Sequence, residues 1–538
     1  MKHALLTALA LSSPLIAAPQ INPIQRIMLP PGAGEIVSVS ENHRQPILAV
    51  TQANVGGVHL FKRTGNAFKA SHSVNFVEYF QQHPIKGFSF DEVSSVSLDP
   101  LGRGFGVAAL INKNKNDQGN EGTGLLGLFD YTSGKILGTL PAGFHPDQVG
   151  FSKDGKWIAL ANEGEMGSGG IADNPGSLSL YDLTSVTNSQ ELIEQIQPHN
   201  FEFSPNHTSE DFLKNVHSVR SHDLADGTYL QYLEPEFTCF SPDSKSVFVA
   251  LQENNAIATF DLTSMKWKNI TDLGVHKISI DPSDKDKKAD TSTIVYGAPM
   301  PDTIASFQQN GKTYIATANE GDARGDDKDT VKLAKGAFNN GKNIPKAPNH
   351  SPYELDPKKG GIGRLGLVAN LCDTNNDGIA EKIVAYGTRD LAIWEVSPNG
   401  ALKRVSAFAL EDYVLNADPK RHNSNDGGQL EEFDKRSDNK GPEPEALAVH
   451  TTQQGTTYTL VANERQNGLV LIDITKPTSP EALAYLNDSD HALFRPESVQ
   501  LIDLNGSLTA IVGYEAYDDK AGGIGIYTLN GIPTTAKK

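Results

Sequence analysis

Apolar residues alternate with polar ones at period two in short runs along most of the chain, and Gly, Asp, Asn and Pro bound the runs. Such alternation predicts half-buried β-strands. The runs recur in a fixed order. Each unit opens on an acidic residue and runs to a turn such as Ser152-Lys153-Asp154-Gly155 or Ser241-Pro242-Asp243-Ser244. It returns through a second run, for example residues 157–161 or 247–251. A third strand follows, with copies at 57–61, 124–130, 176–183, 256–262, 468–474 and 522–529. A fourth, as at 135–140 and 481–486, leads to the next acidic start. Four antiparallel strands repeated radially predict an all-β chain forming one β-propeller.

Five pairs of segments mark the repeat most clearly. Glu443-Pro444-Glu445 is followed by Ala462-Asn463-Glu464-Arg465, His145-Pro146-Asp147 by Ala161-Asn162-Glu163, and Glu234-Pro235-Glu236 by Leu251-Gln252-Glu253. Met300-Pro301-Asp302 precedes Ala318-Asn319-Glu320, and Arg495-Pro496-Glu497 precedes Gly513-Tyr514-Glu515. Weaker copies start at Glu35 and Glu92, giving seven four-stranded blades. Residues 25–29 resemble a fourth strand and are expected to complete the last blade, closing the ring without an open edge. One interval is long, with 143 residues from Asp302 to Glu445. There, 391–396 and 402–408 read as the third and fourth strands and 321–390 as an insertion with strands at 363–371 and 382–386. If those pair as a full unit, the ring has eight blades. Polar stretches at 184–230, 274–296 and 411–440 read as surface loops.

The N-terminus changes the compartment expected. Residues 1–18 combine Lys2 and His3 with an apolar run and Ala17-Ala18, the pattern of a secretory signal, which leaves the propeller at 19–531 and a tail at 532–538. The chain is therefore expected to be exported, periplasmic or secreted, and no later apolar run is long enough to span a bilayer. The net charge of −18 excludes nucleic-acid and anionic-membrane binding, which need Lys and Arg to replace counterions. Cys239 and Cys372 are the two cysteines, and they read either as a disulfide or as two buried thiols.

Antiparallel pairing puts the start of the first strand and the end of the second at one face, so the recurrent acids should converge on the channel mouth. Asp147, Glu236, Asp302, Glu445 and Glu497 form one set, and Glu163, Glu253, Glu320, Glu464 and Glu515 the other. Gathered carboxylates repel and raise one another's pKa unless cations compensate. Calcium, which takes roughly six to eight oxygen ligands in irregular geometry, fits such a set. Arg324, Arg389, Arg465 and Arg495 lie beside the motifs and could instead pair with the acids or bind an anionic ligand. The acids could also simply fix turns by accepting backbone N–H bonds.

A separate calcium candidate is Asp373-Thr374-Asn375-Asn376-Asp377-Gly378 with Glu381, an EF-hand-like loop that has Val384 where the last bidentate Glu belongs. A plain Asn-Asp-Gly turn is the alternative. Asp281-Pro282-Ser283-Asp284-Lys285-Asp286 reads as a solvated loop, and no histidine spacing, His422 included, supports zinc. No nucleophile elbow or phosphate loop is found.

Those segments, together with Lys440-Gly441-Pro442-Glu443 and Glu320-Gly321-Asp322-Ala323-Arg324, resemble the choice-of-anchor I family of exported β-propellers over nearly the whole mature chain. The family is related to mesenchyme-specific cell-surface glycoproteins. Members often carry a C-terminal anchor, which the ending Thr534-Thr535-Ala536-Lys537-Lys538 does not resemble. Some relatives bear an alkaline-phosphatase label, and the acidic face is similar to those of calcium-dependent phytase propellers. The readings that follow are a monomeric propeller binding calcium and a small-molecule or surface partner, or a metal-dependent phosphoesterase acting on a phosphate ester. In the second, Glu320, Glu445, Glu464 and Glu497 hold cations that activate water while Arg465 or Arg324 steadies the phosphoryl group.

Overall fold

The computed structural model describes residues 18–30, 32–40, 45–52, 55–114, 122–164, 174–187, 192–220, 229–324, 329–504, 506–515 and 521–533. Residues 1–17, which contain nearly all of the expected signal segment, lie outside that set.

Seven four-stranded antiparallel sheets are present among the described residues. Their first strands are Val37–Ser40, Phe90–Leu98, Pro146–Phe151, Thr238–Phe240, Ile304–Gln309, Pro444–Thr451 and Pro496–Leu504. Each first strand neighbours the first strand of the next sheet, and Val37–Ser40 also neighbours Pro496–Leu504, so the seven make a closed circuit. The chain is an all-β propeller. Gln20–Met28 pairs antiparallel with Gly523–Pro533, so the sheet containing the C-terminal strands takes its outermost strand from the N-terminus. Arg26 fastens this closure through two hydrogen bonds to the buried Asp488, at 2.7 and 2.6 Å.

The core lies between sheets, as period-two strands require: alternate side chains face the preceding and the following sheet. Second strands are buried on both sides, as in Phe105–Asn112 and Thr457–Asn463. Leu460, Leu471, Val499, Leu508 and Val512 fill one such seam, and Val107, Leu126, Val149 and Leu160 another. Each buried aliphatic side chain contributes about 1.5–3 kcal/mol.

Three stretches differ from their reading as polar surface loops. Gln197–Glu202 is the fourth strand of the sheet that starts at Pro146. It shows little alternation because, as an outer strand, five of its six residues face solvent. His276–Ile280 and Thr293–Ala298 form a hairpin. The inserted strands Thr330–Val331, Leu367–Val368 and Val384–Tyr386 join that hairpin in a five-stranded sheet. This sheet contains a parallel pair, Thr293–Ala298 with Val384–Tyr386, unlike the seven others. It has its own core, including Ile280, Val295, Leu365, Leu367, Cys372 and Val384. Residues 410–440 begin with the helix Leu410–Ala417 and fold over buried polar side chains that include His422, Asn423 and Ser437. Cys239 and Cys372 are free thiols.

Candidate functional site: the acidic channel mouth

Register explains how the acids reach the mouth. Pro146 pairs with Asn162, Pro444 with Asn463, and Pro496 with Tyr514, so the two acidic positions of a sheet are adjacent across the pair. A bulge follows each of these prolines and leaves Asp147, Glu445 and Glu497 outside the regular ladder. A bulge re-aims the side chain it carries. Before the bulge, His145, Glu443 and Arg495 take left-handed φ values of 44°, 56° and 53°, and Met300 takes 46° ahead of Pro301. Left-handed backbone is costly for non-glycine residues and collects at functional sites. Here it turns a carbonyl to the second strand: His145, Glu443 and Arg495 accept from the N–H of Glu163, Glu464 and Glu515 at 2.9, 2.8 and 2.9 Å. The turn thus locks both acids of a sheet to one backbone hydrogen bond. Gly321, after Glu320, has φ 85°, and a Cβ there would lie 2.0 Å from the Gly387 nitrogen.

These devices produce a cavity of about 340 Å³ lined by Asp147, Glu163, Glu236, Asp302, Glu320, Asp322, Glu445, Glu464 and Glu497, with Gln252, Lys440 and Arg465. Nine carboxylates thus face two cationic side chains. Seven of the nine, with Glu253, Glu443 and Glu515, come together as trios whose ligand oxygens lie within 4.8 Å: Glu163–Glu236–Glu253, Asp302–Glu320–Glu445, Glu320–Glu443–Glu464 and Glu464–Glu497–Glu515. Every trio draws on two neighbouring sheets or on the segment that joins them, so the trios straddle the seams. Gln252 bridges seams by donating to Glu320 at 3.0 Å.

Charge crowding shows in the acidities. Burial, then the fields of Glu515, Asp147 and other acids, pushes Glu35 to about 8. Burial and Asp302 raise Asp147 to about 7. Glu320 reaches about 8 through burial, although Lys440 opposes the shift. Glu464 rises to about 7 through burial and Glu443, against Arg465. Burial and neighbouring carboxylates also push Glu236, Glu445 and Glu497 well above the carboxylate range. Glu443 is the exception: burial pushes its carboxyl up, but Lys440, Arg436 and Arg465 outweigh burial and hold it low.

The predicted arginines separate. Arg465 lines the cavity and binds Glu464 at 2.9 Å and Glu443 at 3.4 Å. Arg495 stands at the edge, 3.1 Å from Glu515. Arg324 does not line the cavity; it is buried against Glu234 at 2.6 Å and the Tyr232 carbonyl. Arg389 is fully buried and structural, held by Glu411 at 2.8 Å and by the carbonyls of Asp281, Ser437 and Asn439. Sequence reasoning missed Lys440, Asp322 and Gln252 as lining residues, and Glu443 as a trio member. All four lie in quoted motif segments, one to five residues from predicted site residues, and that adjacency was the available signal.

The Asp373 loop lies apart from the cavity lining. Oxygens of Asp373, Asp377 and Glu381 also lie within 4.8 Å of one another. Yet Asp373 accepts from the N–H groups of Asp377 and Gly378 at 3.1 and 2.7 Å, and Asn375 accepts from Asp377 at 3.0 Å. Asp377 accepts from Ile379 at 2.9 Å, and Glu381 from the Thr374 N–H and hydroxyl at 2.7 and 2.9 Å.

Residues 35–477 match the choice-of-anchor I domain. No curated protein matches the chain. Among solved structures, the β-propeller domain of Cps50 (Swd1) from Myceliophteria thermophila is 10% identical, with 95% of this chain and 99% of that one aligned at a TM-score of 0.46. The periplasmic gluconolactonase PpgL from Pseudomonas aeruginosa is 11% identical over 84% and 85% of the two chains, at a TM-score of 0.36. At these scores neither likeness carries an argument, and the fold rests on the strand topology above. Among the described residues no helix is long and apolar enough to cross a membrane.

Proposed function

This chain belongs to the choice-of-anchor I family, and on that premise we propose that it is an exported propeller whose channel mouth holds hard divalent cations, calcium first. Through them it holds a ligand or surface partner. The observation that carries the reading is the seam-straddling trios, whose carboxylates outnumber the available cationic side chains. Oxygen-only donors supplied from several backbone segments suit calcium, which tolerates irregular geometry, better than zinc or copper, which favour nitrogen and sulfur. The Oε2 atoms of Glu236 and Glu253 are buried without a hydrogen-bond partner, a costly state for a carboxylate unless a proton or a cation meets it.

Binding is favoured over phosphoester hydrolysis because Lys440 and Arg465, the cavity's cationic side chains, are both held by carboxylates. Neither is disengaged to receive a phosphoryl oxygen. The test is calorimetric titration of the chelator-stripped chain with calcium, followed by assay of a generic phosphomonoester with and without calcium. Saturable uptake without turnover is expected. No uptake overturns the reading, and turnover abolished in Glu464→Gln replaces it with the hydrolytic one.

A further inference from the structure

The four trios at the mouth are not equivalent, because fixed cations have already taken some of them. Lys440 Nζ contacts Glu320 directly and lies 3.5 Å from Asp322 and 3.8 Å from Glu443. It therefore serves both trios that contain Glu320. Glu464–Glu497–Glu515 is served by Arg465 on Glu464 and by Arg495 on Glu515. At Glu163–Glu236–Glu253, no Lys or Arg ion pair reaches Glu236 or Glu253 among the described residues. His145 Nε2 is 3.7 Å from Glu163, and Arg324, whose field reaches Glu253, is itself held by Glu234. Glu253 is only 8% exposed, and its Oε2 lacks a partner.

Lys440 is also presented rigidly, unlike an ordinary surface lysine. Its side chain is 11% exposed. The buried Arg389 binds the preceding carbonyl, that of Asn439, at 2.8 Å. The next residue, Gly441, has φ 68°, and a Cβ there would press to 2.8 Å from Arg389 Cδ. An ammonium held in this way loses little side-chain entropy when it pairs.

Resting on the reading of the mouth as a cation site, we propose that the first divalent ion binds at the Glu163–Glu236–Glu253 seam. Lys440 is a built-in counter-cation that keeps a further ion out of the trios built on Glu320. Three carboxylates with water completing the shell suit calcium there, and removing the ammonium exposes a second anionic seat of the same chemistry.

The experiment counts calcium ions bound to the stripped full chain by equilibrium dialysis and measures Kd by calorimetry. Melting curves serve as the check on folding. Glu253→Gln and Glu163→Gln are expected to weaken the first ion by about tenfold or more, equivalent to about 1.4 kcal/mol, and Glu464→Gln to weaken it less. Lys440→Met is expected to gain one equivalent. A larger loss in Glu464→Gln than in Glu163→Gln overturns the seam assignment. An unchanged or lower stoichiometry in folded Lys440→Met overturns the counter-cation role. Absence of calcium uptake by the parent chain contradicts the mouth reading itself, a separate outcome. Glu163, partly exposed, keeps the test available if Glu253→Gln does not fold.

Discussion

The mouth and the Asp373 loop both gather carboxylate oxygens within 4.8 Å, but they differ in what else those oxygens touch. In the loop the acids are close in sequence, half-buried at Asp373 and exposed at Asp377 and Glu381, and bonded to backbone N–H groups a few residues away. In the mouth they arrive from separate sheets on strained turns, are largely surrounded by protein, and exceed the cations beside them. Clustered acids alone do not make a cation site; carboxylates left without donors do. The loop uses its acids to fix a turn, whereas the mouth leaves buried oxygens of Glu236 and Glu253 without a hydrogen-bond donor.

The largest expected effect comes from removing the internal cation. In calcium-free protein above about pH 8, where Glu320 is ionised, Lys440→Met should lose about 3–5 kcal/mol in urea unfolding, because that charge is left buried and uncompensated. Calcium should restore part of that loss, and unchanged unfolding would mean that the ammonium is not integral to the mouth.

Next is acidity. A carboxyl whose pKa is raised by folding holds its proton more tightly in the folded chain, so stability falls as pH climbs from the unfolded value to the folded one. For Glu35 and Glu320 that window runs from the ordinary 4.5 to about 8. Stripped protein should therefore melt at progressively lower temperature from about pH 4.5 to about pH 8, by up to about 1.4 kcal/mol per group per pH unit. Calcium should flatten the upper part of the curve, and a melting temperature independent of pH in that window would count against crowded, buried acids.

Smaller still, Glu445→Gln or Glu497→Gln should stabilise the stripped protein at pH 8 by about 1–3 kcal/mol by removing a carboxyl that burial and its neighbours disfavour. The same substitutions should weaken calcium binding less than Glu163→Gln does, because Glu445 and Glu497 lie outside the Glu163–Glu236–Glu253 trio. Stabilisation without that weakening would separate crowding from function. The smallest effect belongs to the loop: Asp373→Asn should cost about 1 kcal/mol or less through weaker turn bonds and leave calcium content unchanged.

Much of this was legible in the chain. The recurring acid after proline and the Asn-Glu at the end of the second strand located the mouth because strand pairing makes those positions adjacent. Four things were hidden. Bulges and left-handed turns at His145, Glu443 and Arg495 are set by local backbone geometry that residue type only hints at. Arg324 and Lys440 lie next to motif residues alike, but one is buried behind the wall and the other enters the cavity, a distinction that sequence adjacency does not carry. Outer strands such as Gln197–Glu202 escape a periodicity argument because solvent bathes both faces. The hairpin His276–Ile280 and Thr293–Ala298 was masked by the polar stretch between its strands.

The most direct test of the central claim is calcium content after stripping, reloading and exhaustive dialysis, compared among the parent chain, Glu163→Gln with Glu236→Gln, and Asp373→Asn with Asp377→Asn. The account predicts retained calcium in the parent and the loop variant and its loss in the mouth variant. Calcium lost from the loop variant and kept in the mouth variant, or absent from all three, would contradict it.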